Sequence, residues 1–296
     1  MMNIIGHAHT RALLKNISSA AELPHHAFLL SGPEGIGKAL VGKEFASLLL
    51  GYGGMDPSLR QDFLCIGREE KKSGKHGNIS VEAIREAGIF LSRYPTESKR
   101  RAVLIEDAEE LSESAQNALL KFLEEPNATS VIILTASRYG ALRDTVRSRM
   151  FHLVLSPVSE SVLRQGLLDL FPRTQVDSLE PFFLSLGCPG LAVEALSNAG
   201  EFSKRREALR SLFRLSALSL AERMALSERL SESVSDTIRL FEWWILGLRS
   251  LRRHEKDRKT IAALFGFFET LDAGTRQLRT TNANPRLVID KIFLSL

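Results

Sequence analysis

The sequence predicts a parallel α/β domain followed by an all-helical region. Three observations predict it: short apolar runs in the first 155 residues, amphipathic stretches of helical period between them, and the loss of strand-like runs after Ser156-Pro157. The runs Ala27-Phe28-Leu29-Leu30, Ala102-Val103-Leu104-Ile105 and Val131-Ile132-Ile133-Leu134 are apolar at every residue, as strands covered on both faces must be. Lys38 to Leu50 and Val81 to Leu91 read as helices, and Ser112 to Leu123 sets Ala115, Ala118, Leu119 and Phe122 on one buried stripe. Residues 51–78 combine Gly51, Gly53, Gly54 and Pro57 with the charged run Arg68 to Lys72 and with Gly74 and Gly77, which predicts an exposed insertion. Beyond Pro157, helical periodicity broken at Phe171-Pro172 and at Gly187-Cys188-Pro189-Gly190 predicts a small helical unit. From about Phe202 a second begins, stopped at Asn284-Pro285 before a short last helix.

Composition narrows the function classes. At 296 residues, 44% hydrophobic and 25% charged, the chain is globular and long enough for two or three compact units. It holds no apolar run of membrane-spanning length, and Met1 to Thr10 lacks the apolar stretch of a signal peptide, so a cytoplasmic protein with no membrane association is expected. Its two cysteines, Cys65 and Cys188, are too far apart for a metal knuckle, so no metal site is expected. Residues 201–296 carry 18 basic against 12 acidic residues, while the rest carry 21 against 23. A basic C-terminal region suits nucleic acid or an acidic partner. The run Arg249, Arg252, Arg253, Lys256, Arg258, Lys259 also suits a solvated helix face.

The strongest chemical signal is Gly32-Pro33-Glu34-Gly35-Ile36-Gly37-Lys38, between a predicted strand and a predicted helix. Such a loop turns backbone N–H groups onto a phosphate, with Gly32, Gly35 and Gly37 allowing the bends and Lys38 reaching the terminal phosphates. A plain glycine turn would explain the glycines but not the lysine. The next residue departs from the pattern, because Ala39 stands where a hydroxyl would ligate magnesium, so ATP binding is expected to be weak or absent and magnesium coordination doubtful. The second signal is the acidic end of the strand Ala102 to Ile105. Glu106 and Asp107 occupy the places of a metal-anchoring carboxylate and a water-orienting one, each displaced by one methylene from the usual Asp-Glu order. The same carboxylates would also serve as caps of the following helix.

With these two signals come Asn117-Ala118-Leu119-Leu120-Lys121-Phe122-Leu123-Glu124-Glu125-Pro126, Arg147-Ser148-Arg149, the opening Ile4-Ile5-Gly6-His7 and the late Asn282-Ala283-Asn284-Pro285-Arg286-Leu287. On these motifs the chain resembles bacterial clamp-loader subunits of the AAA+ class, most closely the delta-prime type. The resemblance is strong over residues 1–155 and patchy beyond. It implies a RecA-like AAA+ nucleotide-binding domain (1–155), a small helical lid (156–205) and an all-α collar domain for oligomerisation (206–296). It also implies that Arg149, in a Ser-Arg-Met corner resembling the family's Ser-Arg-Cys, acts in trans on a neighbouring subunit's ATP. Thr135 or Ser137 would be the polar group near the terminal phosphate. Leu191 stands where the family's second sensor arginine would be, and only Cys65 remains of a four-cysteine zinc module, so no zinc is expected.

Taken together, Ala39, the Glu106/Asp107 exchange, Leu191 and the missing cysteines imply a subunit without independent catalysis, a stator for clamp-loader motor subunits (gamma/tau) and a delta subunit. Sliding clamp and primed DNA would be met through the complex. The alternatives are a catalytically active ATPase of the motor or helicase-loader type and a free-standing DNA-binding protein.

Overall fold

A computed structural model of the chain describes residues 2–20, 22–67, 79–171, 187–197, 199–215, 217–254, 258–281 and 283–295. Five parallel strands form one sheet: β1 (Ala27–Ser31), β2 (Phe63–Ile66), β3 (Arg101–Ile105), β4 (Ser130–Ala136) and β5 (Phe151–Val154), in the order β2-β3-β4-β1-β5. Helices α1 (Ala8–Ser18), α2 (Lys38–Leu49), α3 (Val81–Ser92), α4 (Glu113–Glu124) and the short α5 (Asp144–Arg147) connect or flank them. The helix α6 (Glu160–Leu170) follows the sheet. This is the parallel α/β domain, followed by a helical C-terminal region, that the sequence predicts.

Strands β1, β3 and β4 are buried at every residue, which is why they read as unbroken apolar runs. The two outer strands, β2 and β5, have half-buried or exposed members and are absent from the sequence reading. β2 lies inside the stretch read as an exposed insertion. A buried polar knot supports that end of the sheet: the Asp62 carboxylate accepts the backbone N–H groups of Thr96, Glu97 and Ser98 at 2.7–3.0 Å and pairs with Arg101 at 3.4 Å. Burial alone would raise the Asp62 pKa, but these donors outweigh it and hold the carboxyl below its ordinary value. Residues 68–78 of the insertion lie outside the described residues.

Local rules mark the helix starts. The Ser80, Ser112 and Ser159 side chains accept from the third residue beyond them at the heads of α3, α4 and α6. Helices α3 and α4 approach closely because Gly88 leaves room for the Phe122 ring, which a β-carbon there would overlap.

The chain divides into two compact units, Met1–Val176 with Gly187–Leu191, and Asp177–Leu186 with Ala192–Leu296. The described part of the second is helical: α7 (Pro189–Ser197), which begins in the first unit, α8 (Ala199–Leu215), α9 (Leu220–Ser231), α10 (Val234–His254), α11 (Arg258–Thr280) and α12 (Pro285–Leu294). Ser219 and Glu222 close α9 with a reciprocal capping box, and Asn284-Pro285 starts α12. Trp244 is fully buried among Phe241 and Phe293, and its indole N–H donates to the Ala208 carbonyl at 2.7 Å, so this tryptophan serves the unit's own core. The side chains of Arg249, Arg252, Arg253, Lys256, Arg258 and Lys259, and residue Asn282, lie outside the described residues. Among the described residues no helix is long and apolar enough to cross a membrane.

Candidate functional site

Parallel strands gather chemistry at one edge, because every β-to-α turn leaves the sheet on the same side. Eight of the nine site residues read from the sequence lie at that carboxyl edge: Gly32, Gly35, Gly37 and Lys38 after β1, Glu106 and Asp107 after β3, and Thr135 and Ser137 at the end of β4. Gly35 (φ 71°) and Gly37 (φ 100°) adopt the left-handed conformations that bend the loop and let Gly37 cap α2.

Lys38 is the first residue of α2 and is buried. Its ammonium donates to the Gly32 carbonyl (3.0 Å), the Pro33 carbonyl (3.0 Å) and Ser137 Oγ (2.8 Å), so all three of its protons have acceptors within the protein. Burial lowers its pKa, opposed by the nearby charges of Glu109, Asp107 and Glu34. The loop is also covered. Gly190 donates its N–H to the Gly35 carbonyl at 2.7 Å, and Leu191 packs so closely that a β-carbon on Gly35 would lie 2.5 Å from its Cγ. His7, in a left-handed conformation before α1, places Nε2 2.9 Å from the Ile36 carbonyl, and burial depresses its pKa despite that contact.

The acidic pair diverges. Glu106 turns toward α2 and β2, where its Oε1 meets Lys43 Nζ at 3.5 Å and accepts from the Cys65 thiol at 3.4 Å. Partial desolvation, with the Glu106 carboxylate beside it, pushes the thiol of the surface-accessible Cys65 up to about 12. Asp107 sits in the left-handed region (φ 52°), and its N–H donates to Thr135 Oγ1 at 3.1 Å. Thr135 thus ties β3 to β4, while Ser137 holds Lys38.

The edge also depends on Glu109, to which the sequence reading assigned no role. Its Oε1 accepts the backbone N–H groups of Ser137 (2.9 Å) and Arg138 (3.2 Å), shaping the exit of β4 that presents Ser137 to Lys38. The available signal was one more acid in the run Glu106-Asp107-Ala108-Glu109.

Arg149 lies elsewhere. β1 and β5 are parallel, with Phe28 level with Phe151, so Arg149 precedes the amino end of β5 while the glycine loop follows the carboxyl end of β1. Four residues of strand separate the Phe28 level from Gly32, about 13 Å at some 3.3 Å per residue. Ser148 and Arg149 are exposed, whereas Met150 is buried in the sheet's core. Between the two edges runs a bridge of side chains: Ser31 Oγ lies 2.7 Å from His152 Nε2, Tyr139 stacks on His152 at 4.3 Å, and Arg147 lies over Tyr139. Burial, with Arg147 nearby, lowers the His152 pKa.

The family described as DNA polymerase III, delta subunit, matches residues 6–159, just over half of the chain. The chain belongs to that family. Its similarity extends to the DNA polymerase III subunit delta' of Pseudomonas aeruginosa, 27% identical over 252 residues that cover 78% of this chain and 74% of that one. The delta' subunit of Haemophilus influenzae is 26% identical, covering 64% of this chain and 61% of its own. The DNA polymerase III subunit gamma of Buchnera aphidicola is 30% identical, covering 60% of this chain, which spans about half (51%) of that relative's length. The clamp-loader family of DNA polymerase III, in its delta-prime form, is therefore the chain's kind.

Proposed function

We propose that the chain is a non-hydrolysing stator of a clamp loader, which lends Arg149 to the ATP of a neighbouring subunit. The observation that carries this reading is the separation of the two edges: the arginine is exposed at the amino end of β5, opposite the chain's own glycine loop. A cation there is positioned for a phosphate held by another chain. In that role its guanidinium offsets charge that develops on the transferred phosphoryl group.

The loop's own chemistry supports the same reading. Ala39 presents a methyl group where a magnesium ligand is needed, Glu106 is engaged by Lys43 and Cys65, and the Lys38 ammonium is satisfied internally. Leu191 fills space above Gly35 and offers no cation. These residues do not fit a productively held magnesium–nucleotide, and no step of the reaction is assigned to this loop. Residues 156–205 and 206–296 are proposed as lid and collar, and gamma/tau and delta subunits as partners, with sliding clamp and primed DNA met through the assembly in the cytoplasm.

The test uses the reconstituted complex. Arg149→Ala should leave co-elution of the subunits intact and lower ATP turnover by about 10³ to 10⁵. An unchanged rate overturns the reading. The rival, a competent ATPase, is favoured if the chain alone hydrolyses ATP and Lys38→Ala abolishes the activity.

A further inference from the structure

The arginine proposed to act in trans already has partners in its own chain. Arg149 Nη1 donates to the Thr145 carbonyl at 2.9 Å, and Nη2 meets Glu124 Oε1 at 2.7 Å. The first contact lies within the arginine's own turn. The second comes from a different element, since Glu124 is the last residue of α4, where the backbone carbonyls make the end of a helix negative. A carboxylate is disfavoured there by its own helix, and Arg149 pairs with it as a compensating cation from outside that helix. The pair stands in solvent, with the side chains 38% and 51% exposed, so it is readily exchanged for another partner. A phosphate oxygen that took hold of this guanidinium would come within a few ångströms of the Glu124 carboxylate, like charge against like.

We infer that Glu124 is an intramolecular stand-in for phosphate: it holds Arg149 in the unengaged subunit and is displaced when the neighbour's triphosphate arrives. This deepens the stator reading and rests on it, adding the residue that sets how readily the arginine engages. A carboxylate that supported the arginine during the reaction would have to remain beside a polyanion, whereas a competing carboxylate only has to leave.

The two roles give opposite kinetics. Glu124→Gln keeps the side chain's shape and removes its charge. In the assembled complex it should lower the KM for ATP twofold to about fivefold, the range an exposed ion pair can supply, with kcat no lower than in the parent. The gain should shrink as salt is raised. In an Arg149→Ala background the same substitution should do nothing, because no arginine remains to be released. A fall in kcat, an unchanged KM, or an effect that persists without Arg149 overturns the inference. Failure of the stator reading looks different: Arg149→Ala then leaves turnover unchanged whatever stands at position 124.

Discussion

The two edges of the sheet handle polar groups in opposite ways. At the carboxyl edge, Lys38, Asp107, Thr135 and Ser137 are tied to one another or to backbone, and Leu191 closes over the bend at Gly35. At the amino edge, Arg149 is exposed and bound to a carboxylate that solvent also reaches. Interactions in a closed site are expensive to rearrange, because each buried donor that loses its acceptor costs about 1–3 kcal/mol, whereas an exposed ion pair costs at most about 1 kcal/mol to break. The contrast separates an edge whose contacts are costly to rearrange from one whose ion pair is cheap to exchange.

The largest effect on that contrast should come from filling the closed bend. Gly35→Ala puts a β-carbon against Leu191 at a backbone conformation alanine disfavours, and should destabilise the first unit by about 2–4 kcal/mol in denaturant unfolding. Gly37→Ala, with a similar backbone but nothing within 4 Å, should cost only about 1 kcal/mol. Equal losses at the two positions would show that Leu191 does not seal the loop.

Thiol labelling probes the same edge. With a pKa of about 12, Cys65 has its thiolate fraction cut by roughly a thousandfold relative to an ordinary thiol, and greater intrinsic nucleophilicity recovers part of that. Alkylation at pH 8 should be roughly thirtyfold slower than for an unperturbed cysteine, although the residue is exposed. Glu106→Gln should speed it. Labelling at the ordinary rate would break the picture of a Glu106 committed to this contact.

Acid should loosen the structure by a smaller amount. Burial lowers the pKa of both His7 and His152, so between about pH 6.5 and their folded values the unfolded chain binds more protons than the folded one. Stability conferred by the neutral rings is therefore complete above pH 6.5, falls as the pH drops through that window, and levels off below it. His152→Gln should flatten part of the dependence in thermal unfolding. A stability that rises on acidification would contradict the burial of both rings. The smallest effect is expected from Lys38→Ala, which should change turnover of the assembled complex by no more than about twofold. A loss as large as that from Arg149→Ala would erase the distinction between the edges.

Much of this fold is legible in the order of residues. Strands buried on both faces must be apolar throughout, and the glycines and lysine between β1 and α2 announce a loop that turns backbone toward a ligand. β2 and β5 are not legible, because four-residue outer strands such as Phe63–Ile66 and Phe151–Val154 mix buried with exposed positions, and β2 is also flanked by glycines and charges. Ser112 as a cap and Arg149 as the residue of interest are readable locally. The importance of Glu109 and Glu124 is not, since each acts on a residue 25 or more positions away.

By itself the sequence determined the α/β class and the glycine–lysine loop, because these follow from local periodicity and from the backbone bends that closely spaced glycines allow. Only the tertiary structure decided that Lys38 shares its protons between its own loop and Ser137, that Leu191 covers Gly35, and that Arg149 pairs with Glu124 on the opposite edge. Those facts depend on strand order and register, which bring distant residues together through packing that no short stretch of chain encodes.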